Sequence, residues 1–233
     1  FQDRFGVKFI EGYGLTETRM ATYMDPTKPP IPGTIGVANP GYEVTIVEPG
    51  TDRPLPPDTP GEIVVDMKIP NIVMRAYYGM PEKTSEDFRN LKLHTGDLGK
   101  MDENGYCTFM DRVKDYIRRR GENVSSMEVE KHASAHPQIE EASCIGVKAG
   151  EGAASEDEIM IVAVPTKDGP PDPEEYIHFM AERMPYFMVP TFIRFVDTLP
   201  KTPTERVQKV KLRDEGITAD TFDREKAGVK IKR

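Results

Sequence analysis

Short stretches in the first half of the chain either alternate apolar and polar residues or form compact apolar runs, and both patterns predict β-strands. The strands predicted in this way cover residues 7–11, 42–47 and 61–65. Residues 25–40 are rich in proline and glycine, which predicts a loop, and residues 51–60 contain four prolines, which predicts a turn. The first half is therefore expected to contain a small antiparallel sheet or half-barrel.

The second half combines strand-like runs with two helical patterns, which predicts a compact α+β unit. A helix is expected at residues 126–135, because Ser125 and Glu128 have the spacing of a capping box. A second helix should begin at Asp172-Pro173, where a capping side chain precedes a proline. Its apolar face consists of Ile177, Met180, Ala181 and Met184. Strands are predicted at residues 116–121, 142–147, 158–164 and 192–196, and a short helix near residues 81–88.

Residues 93–130 carry an unusual density of charged and turn-forming residues. Residues 94–98 predict a turn that places the Asp97 carboxylate at the end of a strand, and Asn104-Gly105 favours a tight hairpin turn. His94 is interpreted as a hydrogen-bonded surface residue without a catalytic role. Residues 111–115 include four charged residues between two strand-like runs, a composition typical of a linker or a site.

Composition limits the class of protein. The chain has 233 residues and a net charge of −8, which argues against general nucleic-acid binding. Cys107 and Cys144 are isolated and predict two reduced cysteines. The sequence contains neither a signal-peptide pattern nor an apolar run long enough for a membrane helix, so we expect a soluble, cytoplasmic protein. The start at Phe1, without a methionine, suggests a fragment of a longer protein.

Residues 11–18 combine groups that could contact a nucleotide. Gly12 and Gly14 permit close approach of the backbone to a ligand. Tyr13 offers a flat face for a base, Thr16 a hydroxyl for phosphate and Glu17 a carboxylate oxygen for Mg²⁺. The alternative interpretation is a strand-to-helix turn capped by a threonine, since a glycine pattern of this kind is weak by itself.

Four motifs occur in a specific order: Y-G-x-T-E at residues 13–17, T-G-D at 95–97, D-R-x-K-D at 111–115 and P-K-T at 200–202. This set resembles the adenylate-forming superfamily of acyl-CoA synthetases, peptide-synthetase adenylation domains and luciferases. The run R-G-E-N-V-S-S-M-E-V-E at 120–130 is similar to crotonobetaine/carnitine-CoA ligases and fatty-acid-type CoA ligases. Asp111 stands where the superfamily has glycine.

The resemblance implies a nucleotide-binding role for each matching residue. Tyr13 would pack on adenine, Thr16 would contact the α-phosphate, and Glu17 would coordinate Mg²⁺. Asp97 would hold the ribose with help from Arg112, and a solvated salt bridge is the alternative for that arginine.

The resemblance also assigns roles to the second half. Lys114 would be the pivot between two domains, and Gly121 would open a passage for the thiol arm of CoA, unless it is simply a turn glycine. Glu205 and Arg206 stand where the superfamily has Gly and a Lys that bridges the acyl carboxylate and the phosphate. Arg206 keeps the positive charge on a planar fork. The nearby Lys209 and Lys211 are interpreted as solvated surface, with adenylation through one of them left as an alternative.

The implied fold is mixed α/β and α+β. Residues 1–112 would be the C-terminal end of the large AMP-binding domain, a short parallel strand plus an antiparallel sheet or half-barrel. Residues 113–233 would be a small mobile C-terminal domain, with a hinge at about 113–115. The superfamily's phosphate loop has no counterpart in this sequence, so the chain by itself is expected to be inactive.

The implied activity is that of an ATP-dependent acid–thiol ligase. Its substrates would be a small-molecule carboxylic acid, ATP with Mg²⁺, and CoA. Two alternatives remain: acyl transfer to the thiol of a carrier protein, and a non-catalytic relative that binds AMP or CoA. A homo-oligomer is left open, and the identity of the acid is not specified by these residues.

Overall fold

The structure, a computed structural model, describes residues 2–148 and 157–231. It contains two compact units, which divide between Lys114 and Asp115. In the described ranges, no helix is long and apolar enough to span a membrane.

The first unit contains two antiparallel sheets and two short helices. One sheet has the order β1-β2-β3 and the other the order β4-β5-β7-β6, with β8 pairing β7. The elements are α1 (Gln2–Phe5), β1 (Gly12–Leu15), β2 (Arg19–Tyr23), β3 (Val37–Ala38), β4 (Tyr42–Val47), β5 (Gly61–Met67), α2 (Pro81–Asp87), β6 (Phe88–Arg89), β7 (Lys92–Met101) and β8 (Cys107–Arg112).

The core of the first unit forms where these strands turn their apolar side chains inward. Val44 and Ile46 of β4 are buried on one face and pack with Ile63 and Val65 of β5. The strands predicted at 42–47 and 61–65 and the helix predicted near 81–88 are confirmed. The predicted antiparallel sheet and half-barrel follow from this alternation.

The expected short parallel strand at residues 7–11 is wrong. These residues are irregular, and Val7, Phe9 and Ile10 are each about half exposed. The strand begins instead at Gly12 and runs antiparallel to β2. A parallel strand requires a neighbour reached by a crossover connection, and the described residues of this unit supply only antiparallel neighbours.

The second unit is an α+β layer with a four-stranded sheet in the order β11-β12-β13-β14 and a separate hairpin of β9 and β10. The β12–β13 pair is parallel and the other pairs are antiparallel. The elements are β9 (Ile117–Arg119), β10 (Glu122–Val124), α3 (Ser126–Ala133), β11 (Ile139–Lys148), β12 (Asp157–Pro165), α4 (Pro173–Ala181), a 3₁₀ turn (Tyr186–Met188), β13 (Phe192–Phe195), α5 (Lys209–Glu215) and β14 (Phe222–Asp223).

Helix caps were the most predictable local features of this unit. Ser125 Oγ accepts a hydrogen bond from Glu128 N, and the Asp172 carboxylate accepts from the backbone N–H groups of Glu174 and Glu175. Each cap satisfies donors that the first helical turn leaves free. The predicted face of α4 is buried at Ile177, Met180 and Met184, together with Tyr176, which the sequence analysis did not include.

The strand predicted at 116–121 is shorter than expected, because it turns back on itself. Arg120 and Gly121 have φ values of +52° and +81° and connect Arg119 to Glu122 in a two-residue hairpin. A type I′ turn requires positive φ at both positions, and an arginine rarely adopts it. The sequence therefore did not indicate this turn.

Candidate active site

The T-G-D motif forms a bulge in a continuous strand. Val64 of β5 pairs with His94 of β7 and Glu62 pairs with Leu98, so that residues 95–97 lie opposite Ile63 alone. The predicted turn at 94–98 is therefore wrong, because the strand continues on both sides of the extra residues. Such a bulge changes the direction of the side chains that it contains.

Local hydrogen bonds hold this bulge. Thr95 Oγ1 donates to Ile63 O at 2.7 Å and accepts from Asp97 N at 3.1 Å. Gly96 adopts a φ of +68°, and its N–H donates to Glu62 Oε1 at 3.2 Å. The threonine and the glycine of the motif thus have structural roles that do not depend on a ligand.

Asp97 is the centre of the polar cluster. Its side chain is buried, with the residue 2% exposed, and Oδ2 accepts a hydrogen bond from Tyr13 Oη at 2.7 Å. Arg112, its cross-strand partner on β8, places Nε 3.1 Å from Oδ1. The guanidinium is not aligned for a hydrogen bond, so Oδ1 accepts none from the described residues. A buried carboxylate oxygen is therefore available to an additional donor.

The charges around Asp97 oppose one another. Burial raises the pKa of Asp97, while the Tyr13 hydrogen bond and the Arg112 guanidinium act in the other direction. Burial, followed by the Asp97 charge, also raises the pKa of the Tyr13 phenol, which therefore remains a hydrogen-bond donor. The Tyr13 ring lies 6.2 Å from the Phe109 ring.

Thr16 and Glu17 line a cavity of about 410 Å³. Arg19 and residues 71–75 complete its wall. Arg19 has a φ of +55°, an uncommon conformation for a residue with a side chain.

Tyr77, which is not among the residues predicted for the site, contacts the Glu17 carboxylate. Its hydroxyl lies 2.7 Å from Glu17 Oε1 and 3.0 Å from Asp87 Oδ2. One phenolic hydrogen can be donated to only one of these carboxylates at a time. Burial, followed by the hydrogen bond to Glu17, raises the pKa of Tyr77. Its sequence signal is its place in residues 75–78, Arg-Ala-Tyr-Tyr, which loosely resemble a G-Y segment of the superfamily.

The surroundings of Glu17 fit a magnesium ion only if the ligand supplies further oxygens. Among the described residues, no group of three or more His, Cys, Asp or Glu side chains is placed to hold a metal. Mg²⁺ commonly binds one or two carboxylates together with substrate phosphates. A single carboxylate, Glu17, in a cavity that Thr16 also lines fits that donor set.

His94 is buried, which contradicts its interpretation as a surface residue. Its Nδ1 lies 3.0 Å from Glu62 Oε2 and 2.5 Å from Arg89 Nη2, and its Nε2 lies 3.0 Å from Asp52 Oδ1. The charged neighbours come from β5, β6 and the loop before β5, which explains why the sequence near His94 did not indicate them.

The remaining candidates occupy the second unit or the boundary. Lys114 is exposed in a turn at the end of the first unit. Gly121 has open space around the position of an added Cβ, so its positive φ is the constraint that the structure shows. Arg206 is exposed and forms no ion pair with a described residue. The preceding Glu205 has a φ of +61°, a conformation that a glycine adopts without strain.

The interpretation of Lys209 as solvated surface is wrong. Its Nζ donates to Ser126 Oγ at 2.6 Å and lies 2.8 Å from Glu130 Oε1. Glu130 Oε1 also accepts from Cys144 N at 2.7 Å. Lys209 therefore ties α5, a helix that was not predicted, to α3 and β11.

Comparisons with known proteins identify the family of this chain. The family model described as AMP-binding enzyme matches residues 1–78, and the model for the AMP-binding enzyme C-terminal domain matches residues 128–206. A long-chain-fatty-acid–CoA ligase from Escherichia coli O6:H1 is 35% identical, covering 90% of this chain and 36% of the relative. A crotonobetaine/carnitine–CoA ligase from Salmonella heidelberg is 34% identical, with 91% and 41% covered. A fatty acid–acyl-carrier-protein ligase, ScoC, from Streptomyces coeruleorubidus is 32% identical, with 89% and 40% covered.

Solved structures give the same result. ATP-bound MatB from Rhodopseudomonas palustris has a TM-score of 0.77 at 34% identity and covers 92% of this chain and 42% of that one. The o-succinylbenzoate CoA synthetase MenE from Bacillus subtilis, in complex with its acyl-adenylate intermediate, has a TM-score of 0.76 at 27% identity, with 91% and 42% covered. The chain thus spans about two fifths of the length of these relatives. It belongs to the AMP-binding family of adenylate-forming enzymes.

Proposed function

We propose that this chain is part of an ATP-dependent ligase that activates a carboxylic acid as an acyl-adenylate and transfers the acyl group to CoA. The observation that carries the proposal is the buried Asp97 carboxylate, with one oxygen fixed by Tyr13 and the other without an aligned donor among the described residues. Vicinal hydroxyls of a ribose would supply such a donor.

The first unit would bind the nucleotide. Asp97 would accept from the ribose, Arg112 would hold the carboxylate in position, and Tyr13 would contact the adenine. Thr16 would donate to the α-phosphate, and Glu17 would hold Mg²⁺ with the phosphate oxygens. When bound, this ion would neutralise charge on the phosphates. The cavity shared by Thr16 and Glu17 supports their assignment to one site.

The second unit would complete the reaction after a change of domain orientation. We assign residues 1–112 to the large domain and 113–233 to a mobile domain, with Lys114 as the pivot. Arg206 would neutralise the acyl carboxylate and the α-phosphate as they approach. Gly121 would lie beside the thiol arm of CoA. The exposed Lys114 turn and an Arg206 guanidinium that has no ion pair among the described residues support these roles.

The experiment is ATP–pyrophosphate exchange by the full-length protein with a panel of carboxylic acids, combined with calorimetric titration of ATP. Asp97→Ala should raise the dissociation constant for ATP at least about tenfold, because hydrogen bonds to a charged acceptor contribute about 1.5–3 kcal/mol each. The matched control is Glu103→Ala, an exposed carboxylate in the β7–β8 loop. A failure to catalyse exchange with any acid of the panel would contradict the proposal. An unchanged dissociation constant for ATP in Asp97→Ala would also contradict it.

Two alternatives have specific support. The resemblance to ScoC favours a carrier-protein thiol as the acyl acceptor, and product formation with CoA compared with a holo-carrier protein separates the two acceptors. The arginine at position 206 favours a relative that binds nucleotide without catalysis. That protein would bind ATP in calorimetry and release no pyrophosphate.

A further inference from the structure

The bulge at residues 95–97 leaves backbone donors that the strand ladder does not use. Residues 95–97 of β7 lie opposite a single residue of β5, Ile63. Gly96 N and Asp97 N therefore need acceptors outside the strand ladder. Thr95 Oγ1 accepts from Asp97 N, and Glu62 Oε1 accepts from Gly96 N. Glu62 lies on the adjacent strand β5 and is 5% exposed, so its carboxylate is buried.

The second oxygen of Glu62 is also fixed. Its Oε2 lies 3.0 Å from His94 Nδ1 and 3.4 Å from Arg89 Nη2. His94 is in turn held through Nε2 by Asp52, which also accepts from Asn90. A carboxylate held at both oxygens has little freedom to move, so the position of the Gly96 peptide is determined by this network.

The Gly96 peptide connects two parts of the proposed mechanism. Its N–H is held by Glu62, its carbonyl accepts from Val113 N at 2.9 Å, and the next residue is Asp97. We propose that Glu62 is a positioning residue that fixes this peptide, so that Asp97 meets the ribose hydroxyls and Val113 anchors the segment before Lys114. This inference rests on the proposed nucleotide-binding function.

The charge of Glu62 argues against a purely structural role. Burial, with a smaller contribution from the charges of Asp111 and Glu62, raises the pKa of Asp97. A second buried carboxylate near Asp97 therefore disfavours the ionised form of the group that would hold the ribose. Well-packed apolar residues often serve stability as well as buried charges do. Its reach to Gly96 N gives Glu62 a use that an apolar side chain cannot replace.

Two substitutions in the full-length protein separate the reach of this side chain from its charge. Glu62→Gln keeps an oxygen that can accept from Gly96 N but removes the charge, whereas Glu62→Asp keeps the charge and is one methylene shorter. We expect Glu62→Asp to raise the dissociation constant for ATP by about tenfold, the loss of one fixed hydrogen bond near a charged group. Glu62→Gln should stay within about threefold of the parent. The KM for the carboxylic acid should stay unchanged in both.

A second readout reports the geometry without nucleotide. Amide hydrogen exchange at Gly96, measured in the nucleotide-free full-length protein, should accelerate in Glu62→Asp and remain slow in Glu62→Gln. The matched control is Glu43→Ala, an exposed carboxylate on β4 for which neither ATP binding nor Gly96 exchange should change.

The outcomes distinguish this inference from the proposed function. If the parent binds no ATP while Gly96 exchange responds as expected, the proposed function fails and the bulge geometry stands. If the parent binds ATP and Glu62→Asp binds it equally well, the inference is overturned. It is also overturned if Glu62→Gln loses ATP binding while Glu62→Asp keeps it, because charge and not reach would then matter. A parallel rise in the KM values for ATP and acid in Glu62→Asp would indicate general destabilisation and would likewise overturn it.

Discussion

At the scale of single residues, Asp97 has an environment that is unfavourable to its own charge. Burial raises the pKa of its carboxyl from the usual 3.8, so the folded protein binds this proton more tightly than the unfolded chain does. The contribution of Asp97 to the unfolding free energy therefore falls as the pH rises above about 4 and stays lower at neutral pH. A site residue that reduces stability is typical of a group placed for a ligand.

Asp97→Asn should therefore separate stability from binding. We expect the unfolding free energy at pH 7 to be unchanged or higher, because the amide removes the buried charge and its oxygen can still accept from Tyr13. The dissociation constant for ATP should rise, because the amide is a weaker acceptor. Urea unfolding and calorimetry of the full-length protein test this. A loss of stability above about 1 kcal/mol would show that the carboxylate supports the fold.

Arg206 offers a second test at this scale. If its guanidinium neutralises the carboxylate and the α-phosphate as they meet, Arg206→Ala should lower the rate of adenylate formation by about 10²–10³. Thioester formation from a supplied acyl-adenylate should be spared, and Arg206→Lys should keep or raise the adenylation rate. Single-turnover assays of each half-reaction measure this.

The control for Arg206 is Lys209→Ala. Since Lys209 is held by Ser126 and Glu130, its loss should reduce stability rather than selectively abolish adenylation. Selective loss of adenylation in Lys209→Ala, with normal adenylation in Arg206→Ala, would transfer the role to the lysine.

At the scale of elements, the β9–β10 hairpin shows what a local pattern can and cannot specify. The buried Arg119 holds it to the rest of the second unit through Phe187 O at 3.0 Å, Val189 O at 2.8 Å and Glu158 Oε2 at 2.7 Å. None of these partners is close in sequence. The caps of α3 and α4 were predictable, because both partners of each cap lie within four residues.

The turn of this hairpin supplies a prediction for Gly121. Gly121→Ala should reduce the unfolding free energy by about 1–2 kcal/mol, because its φ of +81° is unfavourable for a residue with a Cβ. Gly121→Asn should lose less, since asparagine tolerates this region better. Chemical denaturation of the 233-residue chain compares the two.

The same pair of variants tests the proposed passage for the thiol arm. If Gly121→Asn in the full-length protein retains adenylation and loses thioester formation, the open space beside Gly121 matters to the acceptor. Normal thioester formation in Gly121→Asn would make Gly121 a turn glycine only.

The end of α3 gives a pH-dependent prediction. His136 is packed edge-on against the Tyr176 and Phe179 rings, and burial lowers its pKa from 6.5. The folded protein then binds fewer protons than the unfolded chain, so stability is present above about pH 6.5 and is lost as the pH falls below it. His136→Gln should flatten this slope, measured by urea unfolding between pH 5 and 7.5.

At the scale of the whole molecule, the sequence predicted the fold class and strands such as β4, β5, β11, β12 and β13, because alternation and compact apolar runs are local properties. It did not predict the bulge at residues 95–97, because the bulge depends on the register against Ile63 and on the Glu62 acceptor more than 30 residues away. It also missed α5, whose only fully buried apolar residue is Leu212. The pairing of Asp97 with Arg112 was implied only by the resemblance, and the structure adds the cross-strand register that causes it.

The proposed rotation about Lys114 is the property that involves the whole protein. Proline at this position fixes φ near −65° and removes a backbone donor, so a pivot there would lose conformational freedom. Lys114→Pro in the full-length enzyme should therefore impair thioester formation more than adenylation. Lys114→Ala removes the side chain, leaves the backbone free, and should change the ratio of the two rates much less. Equal losses in both half-reactions of Lys114→Pro would show that this exposed turn is an ordinary connection. If Lys114→Ala changes the ratio of the two rates as strongly as Lys114→Pro does, the effect belongs to the ammonium group and not to the backbone.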